Sequence, residues 1–182
     1  MLTLFGTVLR PQSPSDCRVL PNMVVRIDDS GRICEISSAS QVPAGAIGGD
    51  GAWILPGFID SHLHLPQWDR RGIDGLSHCQ WQEKMVYQAE ERFSDSATVE
   101  KLVNDFVSGM IANGTTTAVS FGSPFPAATD KTFEILEKRG VRGIHGMMLN
   151  DANCPVGLGQ KTDEALESAK QLAARWHCAA NG

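Results

Sequence analysis

Residues 55–64 read LPGFIDSHLH, an apolar stretch that ends in two histidines two positions apart. Successive side chains of a β-strand point to opposite faces, so His62 and His64 are expected on the same face. Their attachment points would then lie about 6.6 Å apart, close enough for both imidazoles to bind one metal ion. The apolar residues before them are typical of a buried strand. This segment therefore predicts a strand that carries two ligands of a metal site.

Asp60 lies two residues before His62 and shares the same predicted face. Its carboxylate can orient an imidazole by accepting a hydrogen bond, or it can be an ordinary strand-end carboxylate with backbone partners. The residues alone leave both roles open. A pair of histidines is also a short motif, so spacing by itself fits a metal site and ordinary strand residues equally well.

The composition is that of a folded protein of about one domain. Of the 182 residues, 42% are hydrophobic and 20% are charged, which predicts a packed core. A net charge of −5 argues against nucleic acid as a partner, and the apolar runs are too short to cross a membrane. The first residues do not resemble a secretory signal. The five cysteines are widely spread with no Cys-x-x-Cys pair, so we expect reduced thiols in a cytoplasmic protein.

The chain begins with β-structure. Leu2–Leu9, Met23–Ile27 and Arg32–Ile36 are apolar and β-prone, and the turn residues at Asp28–Gly31 predict a hairpin between the last two strands. Pro43–Gly51 contains four glycines and is predicted to be a loop.

From Ser94 onwards, helices alternate with strands. The Ser94–Ser96 cluster is expected to cap a helix whose apolar residues recur every three or four positions, and Asn113-Gly114 ends it. The later elements are a strand at Thr115–Phe121, a helix from Thr129 to Gly140, a strand at Arg142–Leu149 and a helix from Thr162 to Trp176. This order predicts a parallel sheet with crossover helices. Asn181-Gly182 is a helix-stop signal, so we expect the next strand beyond the end of the chain.

Residues 56–64 resemble the first strand of the amidohydrolase superfamily, whose members bind metal through a His-x-His pair. The continuation Leu65–Gln67 is similar to that of the guanine deaminases within this superfamily. Three later segments resemble the same family in the same order: Glu91–Phe93, Gly114–Ala118 and Met148–Asp151. The resemblance covers essentially the whole chain.

The resemblance implies an α/β fold with two parts. Residues 55–182 would form the first part of an incomplete (β/α)8 metal-dependent hydrolase barrel, with about three of its eight strands. Residues 1–54 would form the N-terminal part of a small β-sandwich domain that flanks such barrels. A homodimer is also implied.

The resemblance also implies the chemistry. His62 and His64 would bind zinc, with iron as the alternative, and the metal would activate a water molecule that attacks the amine-bearing carbon of a purine. Guanine and water would become xanthine and ammonia. Gln67 matches the substrate-binding glutamine of the family, and its amide can read a purine edge because it both donates and accepts hydrogen bonds.

The sequence assigns no catalytic residue. The family's proton-transferring glutamate, in a His-x-x-Glu motif, and its metal-binding aspartate have no match here, so we expect both beyond the C-terminus. A catalytic zinc site needs about three protein ligands, and we therefore expect this chain to be inactive alone. The alternatives are another amidohydrolase (an s-triazine chlorohydrolase or an adenosine or cytosine deaminase), a non-catalytic fragment, and a small metal-binding module that adds His78 or Cys79 to the histidine pair.

Other residues carry weaker signals. Trp68 and Trp81 can line a purine pocket or pack a loop against its scaffold, and both roles remain open. His145 lies inside the third predicted strand of the sheet and is interpreted as structural. Asn150-Asp151, at the end of that strand, is interpreted as a turn. His78-Cys79 is interpreted as part of an ordinary loop.

Overall fold

The computed structural model describes residues 1–179, which form two compact units. The first unit is Met1–Pro56, and the second begins at Gly57. The predicted helix-stop signal at Asn181-Gly182 lies outside the described residues. None of the helices in residues 1–179 combines the length and the hydrophobicity that a membrane crossing requires.

The first unit is a sheet with the strand order β3-β2-β1-β4. Its strands are β1 (Leu2–Ser13), β2 (Asp16–Ile27), β3 (Ile33–Ser38) and β4 (Ile47–Ile54). The antiparallel pair β1 and β2 is longer than predicted, because its ladder continues as far as Ser13 and Asp16. Its core is small and is formed by Phe5, Val8, Val24 and Val25.

The predicted hairpin between β2 and β3 is confirmed. Its turn is held by the carboxylate of Asp28, which accepts hydrogen bonds from the N–H groups of Ser30 and Arg32 at 2.9 and 3.0 Å. Aspartate favours turns because its side chain can bond to nearby backbone in this way.

The predicted loop at Pro43–Gly51 is wrong for its second half, which forms the start of β4. β4 pairs in parallel with β1, and the register shifts between Phe5 and Thr7. Gly48 has a φ of +105°, and a Cβ there would lie 2.2 Å from the carbonyl oxygen of Phe5. The glycines therefore allow an irregular strand to approach β1 closely, and in sequence this looks the same as a turn.

The second unit contains a parallel sheet, which within the described residues has the order β5-β6-β7. The elements are β5 (Phe58–His64), α1 (His78–Trp81), α2 (Tyr87–Glu91), α3 (Ser96–Ala112), β6 (Thr115–Phe121), α4 (Pro126–Lys138), β7 (Arg142–Gly146) and α5 (Thr162–Trp176). The predicted parallel pairing is confirmed. α4 begins before the predicted Thr129 because Pro126 fits the first helical turn, where an N–H is not needed. β7 ends at Gly146 rather than at Leu149.

α3 provides the centre of the core of the second unit. The carboxylate of Asp95 caps it by accepting a hydrogen bond from the N–H of Thr98 at 2.8 Å, as the Ser94–Ser96 cluster predicts. The buried residues of this core are Leu65, Phe93, Val99, Leu102, Val103, Phe106, Val107, Met110, Ala118, Ala128, Ile135 and Leu136. Leu63 of β5 packs against the same cluster. Helix α3 therefore holds one face of the sheet in place.

A helical segment joins β5 to α3. It consists of a short 3-10 helix at Leu65–Arg70, then α1, a π-helical turn at Gln82–Val86, α2 and a 3-10 turn at Arg92–Ser94. The interpretation of His78-Cys79 as a loop is wrong, because these residues begin α1. The hydroxyl oxygen of Ser77 caps this helix by accepting a hydrogen bond from the N–H of Gln80 at 3.4 Å.

His145 on β7 has the surroundings of a structural residue, as interpreted from the sequence. Its Nδ1 atom hydrogen-bonds with the hydroxyl of Ser120 on β6, and its ring meets Phe133 of α4 edge-on with 6.1 Å between centroids. The Nε2 atom is buried with no partner in the described part of the chain. Burial lowers the pKa of His145 from 6.5 to about 4, so the imidazole is neutral at pH 7.

Acid should therefore destabilise the protein through His145. The unfolded chain takes up this proton near pH 6.5 and the native state only near pH 4, so stability is lost as the pH falls between these values. We expect a loss of up to about 3 kcal/mol in the free energy of unfolding, measured by urea denaturation with tryptophan fluorescence. His145→Gln should remove this dependence, and His78→Gln, at an exposed position, should keep it. Equal pH dependence in the wild type and His145→Gln would contradict the prediction.

Candidate metal centre

His62 and His64 lie on the same face of β5, as the two-residue repeat of a strand predicts. Their ring centroids are 5.6 Å apart, and the rings meet edge-on at 75°. Both rings contact Phe121 of β6, with centroid distances of 5.7 Å for His62 and 5.0 Å for His64. His64 also pairs with Phe121 in the sheet register. The aromatic contact therefore holds both imidazoles at the carboxyl ends of two parallel strands.

His64 has the protonation state and the free nitrogen that suit a metal ligand. Partial burial, and after it the nearby charge of His62, lowers the pKa of His64, which favours the neutral imidazole that metals bind. Its Nδ1 atom is buried and has no hydrogen-bond partner among the described residues. Buried polar atoms without a partner are uncommon in folded proteins, so this atom fits a position where an ion is the missing partner.

The described residues supply only part of a metal site. No group of three or more His, Cys, Asp and Glu side chains in residues 1–179 is arranged to hold a metal ion. A small metal-binding module that uses His78 or Cys79 therefore finds no support. The carboxylate of Asp60 accepts a hydrogen bond from the backbone N–H of His62 at 3.2 Å. Asp60 therefore has a backbone partner in the structure, as expected for an ordinary strand-end carboxylate.

Gln67 follows the histidine pair, in the 3-10 helix at Leu65–Arg70 whose first two residues are buried. Gln67 and His64 line the same cavity of about 550 Å³, together with residues of α3 such as Phe106 and Met110. His62 is not among the residues that line it. The structure therefore brings two of the three predicted site residues to one cavity, while His62 joins them through its contact with His64.

Trp68 and Trp81 line the same cavity. Trp68 also packs against α3, where its ring centroid lies 5.4 Å from that of Phe106. It approaches Gly109 so closely that a Cβ there would lie 2.4 Å from the indole. The guanidinium of Arg71 covers the ring at 3.7 Å from its centroid. Trp68 therefore fixes its segment to the scaffold as well as forming part of the cavity wall.

Glu90 in α2 was not among the predicted site residues. It is 2% exposed, and this burial raises the pKa of its carboxyl group to about 7. The side chains of Gln67 and Asn150 lie near this carboxyl group, and both oppose the rise of its pKa. The sequence does contain a signal, since Glu90 lies four residues after Val86 and three before Phe93. Both of these are buried, so Glu90 falls on the inward stripe of its helix.

Asn150 lies in an irregular segment after β7, so its interpretation as a turn residue is wrong. Its backbone is held by Gln160: the N–H of Asn150 donates to Oε1 at 2.9 Å, and the N–H of Gln160 donates to the Asn150 carbonyl at 2.8 Å. Gln160 is itself anchored, because its Nε2 donates to the carbonyl of Pro124 at 2.6 Å. The side chain of Asn150 is thereby held against Glu90.

Residues 53–182 match the amidohydrolase family. Over 127 residues, 70% of this chain, the sequence is 33% identical to guanine deaminase from Escherichia coli and 35% identical to a probable guanine deaminase from Deinococcus radiodurans. The aligned part is 29% of each of these relatives, so the chain spans less than a third of their length.

The fold is similar to solved structures of the same kind. The structure of the E. coli guanine deaminase matches with a TM-score of 0.85 and 26% identity over 100% of this chain and 45% of that one. An atrazine chlorohydrolase from Arthrobacter aurescens, solved as a mutant complexed with zinc and atraton, shares the fold alone, with a TM-score of 0.74 and 18% identity over 97% of this chain and 43% of that one.

Glu90 should make the protein less stable as the pH rises towards neutrality. The unfolded chain loses this proton near pH 4.5 and the native state only near pH 7, so the stabilisation is complete below pH 4.5 and is lost as the pH rises to 7. We expect a change of up to about 3 kcal/mol from this group, measured as melting temperatures across the interval. Glu90→Gln should remove the dependence, whereas the exposed neighbour variant Glu91→Gln should not. A Glu90→Gln protein with the wild-type pH profile would contradict this.

Proposed function

This chain belongs to the amidohydrolase family, and from that premise we propose that the protein is a metal-dependent hydrolytic deaminase that converts guanine and water to xanthine and ammonia. The observation that carries the proposal is the segment His62–Gln67, in which two imidazoles on one strand face are followed by a glutamine that shares a cavity with His64. The similarity to guanine deaminases over 70% of the chain supports guanine as the substrate.

The predicted α/β fold is confirmed, and the chain corresponds to 45% of a structurally similar guanine deaminase. We propose that residues 1–54 are the N-terminal part of a β-sandwich domain and that residues 55–182 are the first part of the barrel. The mixed sheet of the first unit and the parallel sheet of the second support this division. The barrel strands are then β5, β6 and β7.

His62 and His64 are the residues that would hold zinc, with iron as the alternative. The unpartnered Nδ1 of His64 and the neutral imidazole favoured by its surroundings fit this role. When bound, the metal supplies the activation of water that hydrolytic deamination requires. A third protein ligand is also needed, and no described residue stands beside the pair to provide it.

The remaining residues of the site would bind the purine and orient the imidazole of His64. Gln67 would bind the purine, because its amide offers two donors and an acceptor to the complementary groups of a purine edge. Phe121 stacks on His64 with 28° between the ring planes and limits the rotation of that imidazole. Leu63 and Trp68 supply apolar parts of the cavity wall.

We also propose a cytoplasmic homodimer that acts in purine catabolism. All five cysteines are free, which suits a reducing compartment. The homodimer and the place in purine catabolism rest on the family resemblance alone.

Loss of either histidine should remove the metal. In the intact parent enzyme that contains the whole proposed barrel, we expect about one zinc ion per subunit, and less than about a tenth of that in its His62→Ala and His64→Ala variants, measured by elemental analysis after gel filtration. His78→Ala is the matched control, because its side chain is exposed on α1, and should keep the zinc. Retention of zinc in both site variants would contradict the assignment of the ligands.

Turnover of guanine to xanthine, followed by ultraviolet absorbance, tests the reaction itself. Gln67→Ala should raise KM for guanine about tenfold or more, because the purine loses its polar partner. Hydrolysis of an s-triazine, S-adenosylhomocysteine or cytosine with guanine left unchanged would overturn guanine as the substrate and retain the family.

A further inference from the structure

The backbone around Gln67 is fixed by a single arginine from the helical segment that follows it. Arg92 donates hydrogen bonds to both carboxylate oxygens of Asp69, at 2.8 and 2.9 Å, and to the carbonyl oxygen of Pro66 at 3.4 Å. Pro66 and Asp69 flank Gln67 on either side. Paired arginine–carboxylate contacts of this kind restrict geometry strongly, so the side-chain amide is the part of Gln67 that still needs a partner.

Glu90, two residues before Arg92, is placed to be that partner. It is 2% exposed, and the side-chain amides of Gln67 and Asn150 lie close enough to it to lower its pKa. The nearby guanidinium of Arg92 is already committed to Asp69. Glu90 therefore faces two neutral amides. One of them belongs to Gln67, the proposed substrate-binding residue.

A carboxyl group between two primary amides decides how each of them is turned. As a carboxylate, it can only accept, and both amides must present their NH2 groups to it. As a carboxylic acid, it also donates, and one amide must present its carbonyl oxygen. The pKa of about 7 means that the acid form is available at neutral pH. In either state, the end of the amide that faces Glu90 is not available to a ligand.

We propose that Glu90 is a positioning residue that fixes the orientation of the Gln67 amide and so determines which purine edge the site accepts. This rests on the proposed role of Gln67 in binding the substrate. Asn150 is the second partner, and because Gln160 holds its backbone in both directions, it keeps Glu90 directed at Gln67. Glu90 itself would not touch the substrate.

Three single variants separate this role from a general structural one. Glu90→Leu removes the polar partner at similar volume, Glu90→Gln keeps a donor and an acceptor, and Glu91→Gln changes the exposed neighbour. In the zinc-loaded intact parent enzyme, we expect Glu90→Leu to raise KM for guanine about tenfold while kcat changes less than about threefold. Glu90→Gln should recover most of the loss in KM, and Glu91→Gln should match the wild type. A Glu90→Leu protein with wild-type KM would overturn the proposal.

The effect should also disappear when Gln67 is absent. In a Gln67→Ala background, Glu90→Leu should change KM less than about twofold, because there is no amide left to orient. An equal rise in KM with and without Gln67 would show that Glu90 does not act through this residue and would overturn the proposal.

A spectroscopic test does not depend on turnover. With 15N-labelled glutamine, the side-chain NH2 signal of Gln67, identified by its loss in Gln67→Ala, should lie away from the values of exposed glutamines and move towards them in Glu90→Leu. Asn150→Ala should move the same signal, and it replaces Glu90→Leu if that variant does not fold. A signal that stays unchanged would overturn the role of Glu90. An intact parent enzyme that does not turn over guanine but shows the expected signals would instead overturn the proposed function.

Discussion

The packing of the partly buried Leu63 against the core fixes the direction of the two histidines beside it. Leu63 packs against the cluster centred on α3, and the alternation of side chains along β5 then places His62 and His64 on the opposite face of the sheet. A shift of the strand by one residue would exchange these faces, burying the imidazoles and exposing the leucine. The contact of both rings with Phe121 depends on the same register. The direction of the candidate metal pair thus depends on the apolar residue between its two histidines.

Features that depend on local pattern could be predicted from the sequence. β5 and β6 are short apolar or β-branched runs, and α3 has an aspartate cap and a stripe with a helical period. Each of these signals lies within the element that it predicts, so the parallel sheet and the position of His62 and His64 followed directly. The resemblance to a known family added the interpretation of Gln67, which no periodicity could have supplied.

Features that depend on contacts between distant segments could not be predicted in the same way. The glycines before Trp53 look like a loop in the sequence. Glycine is needed there because the strand passes close to the carbonyl of Phe5, which is far away in the chain. The burial of Glu90 follows from its helical stripe, but its neighbours Gln67 and Asn150 come from the 3-10 helix after β5 and from the irregular segment after β7. The periodicity of a sequence indicates which side chains are buried, but it does not indicate which residues from distant segments they contact.

The π-helical turn at Gln82–Val86 has a consequence for comparing this chain with its relatives. Such a turn accommodates one more residue than an α-helix would, while the helices on both sides keep their faces. If the turn were regular, each later residue would rotate by about 100°, and Ala89 would occupy the place of Glu90. An alignment with a relative that lacks the turn therefore needs its one-residue gap within Gln82–Val86. A gap placed after Glu90 would match Glu90 with a residue one position away along the helix of that relative.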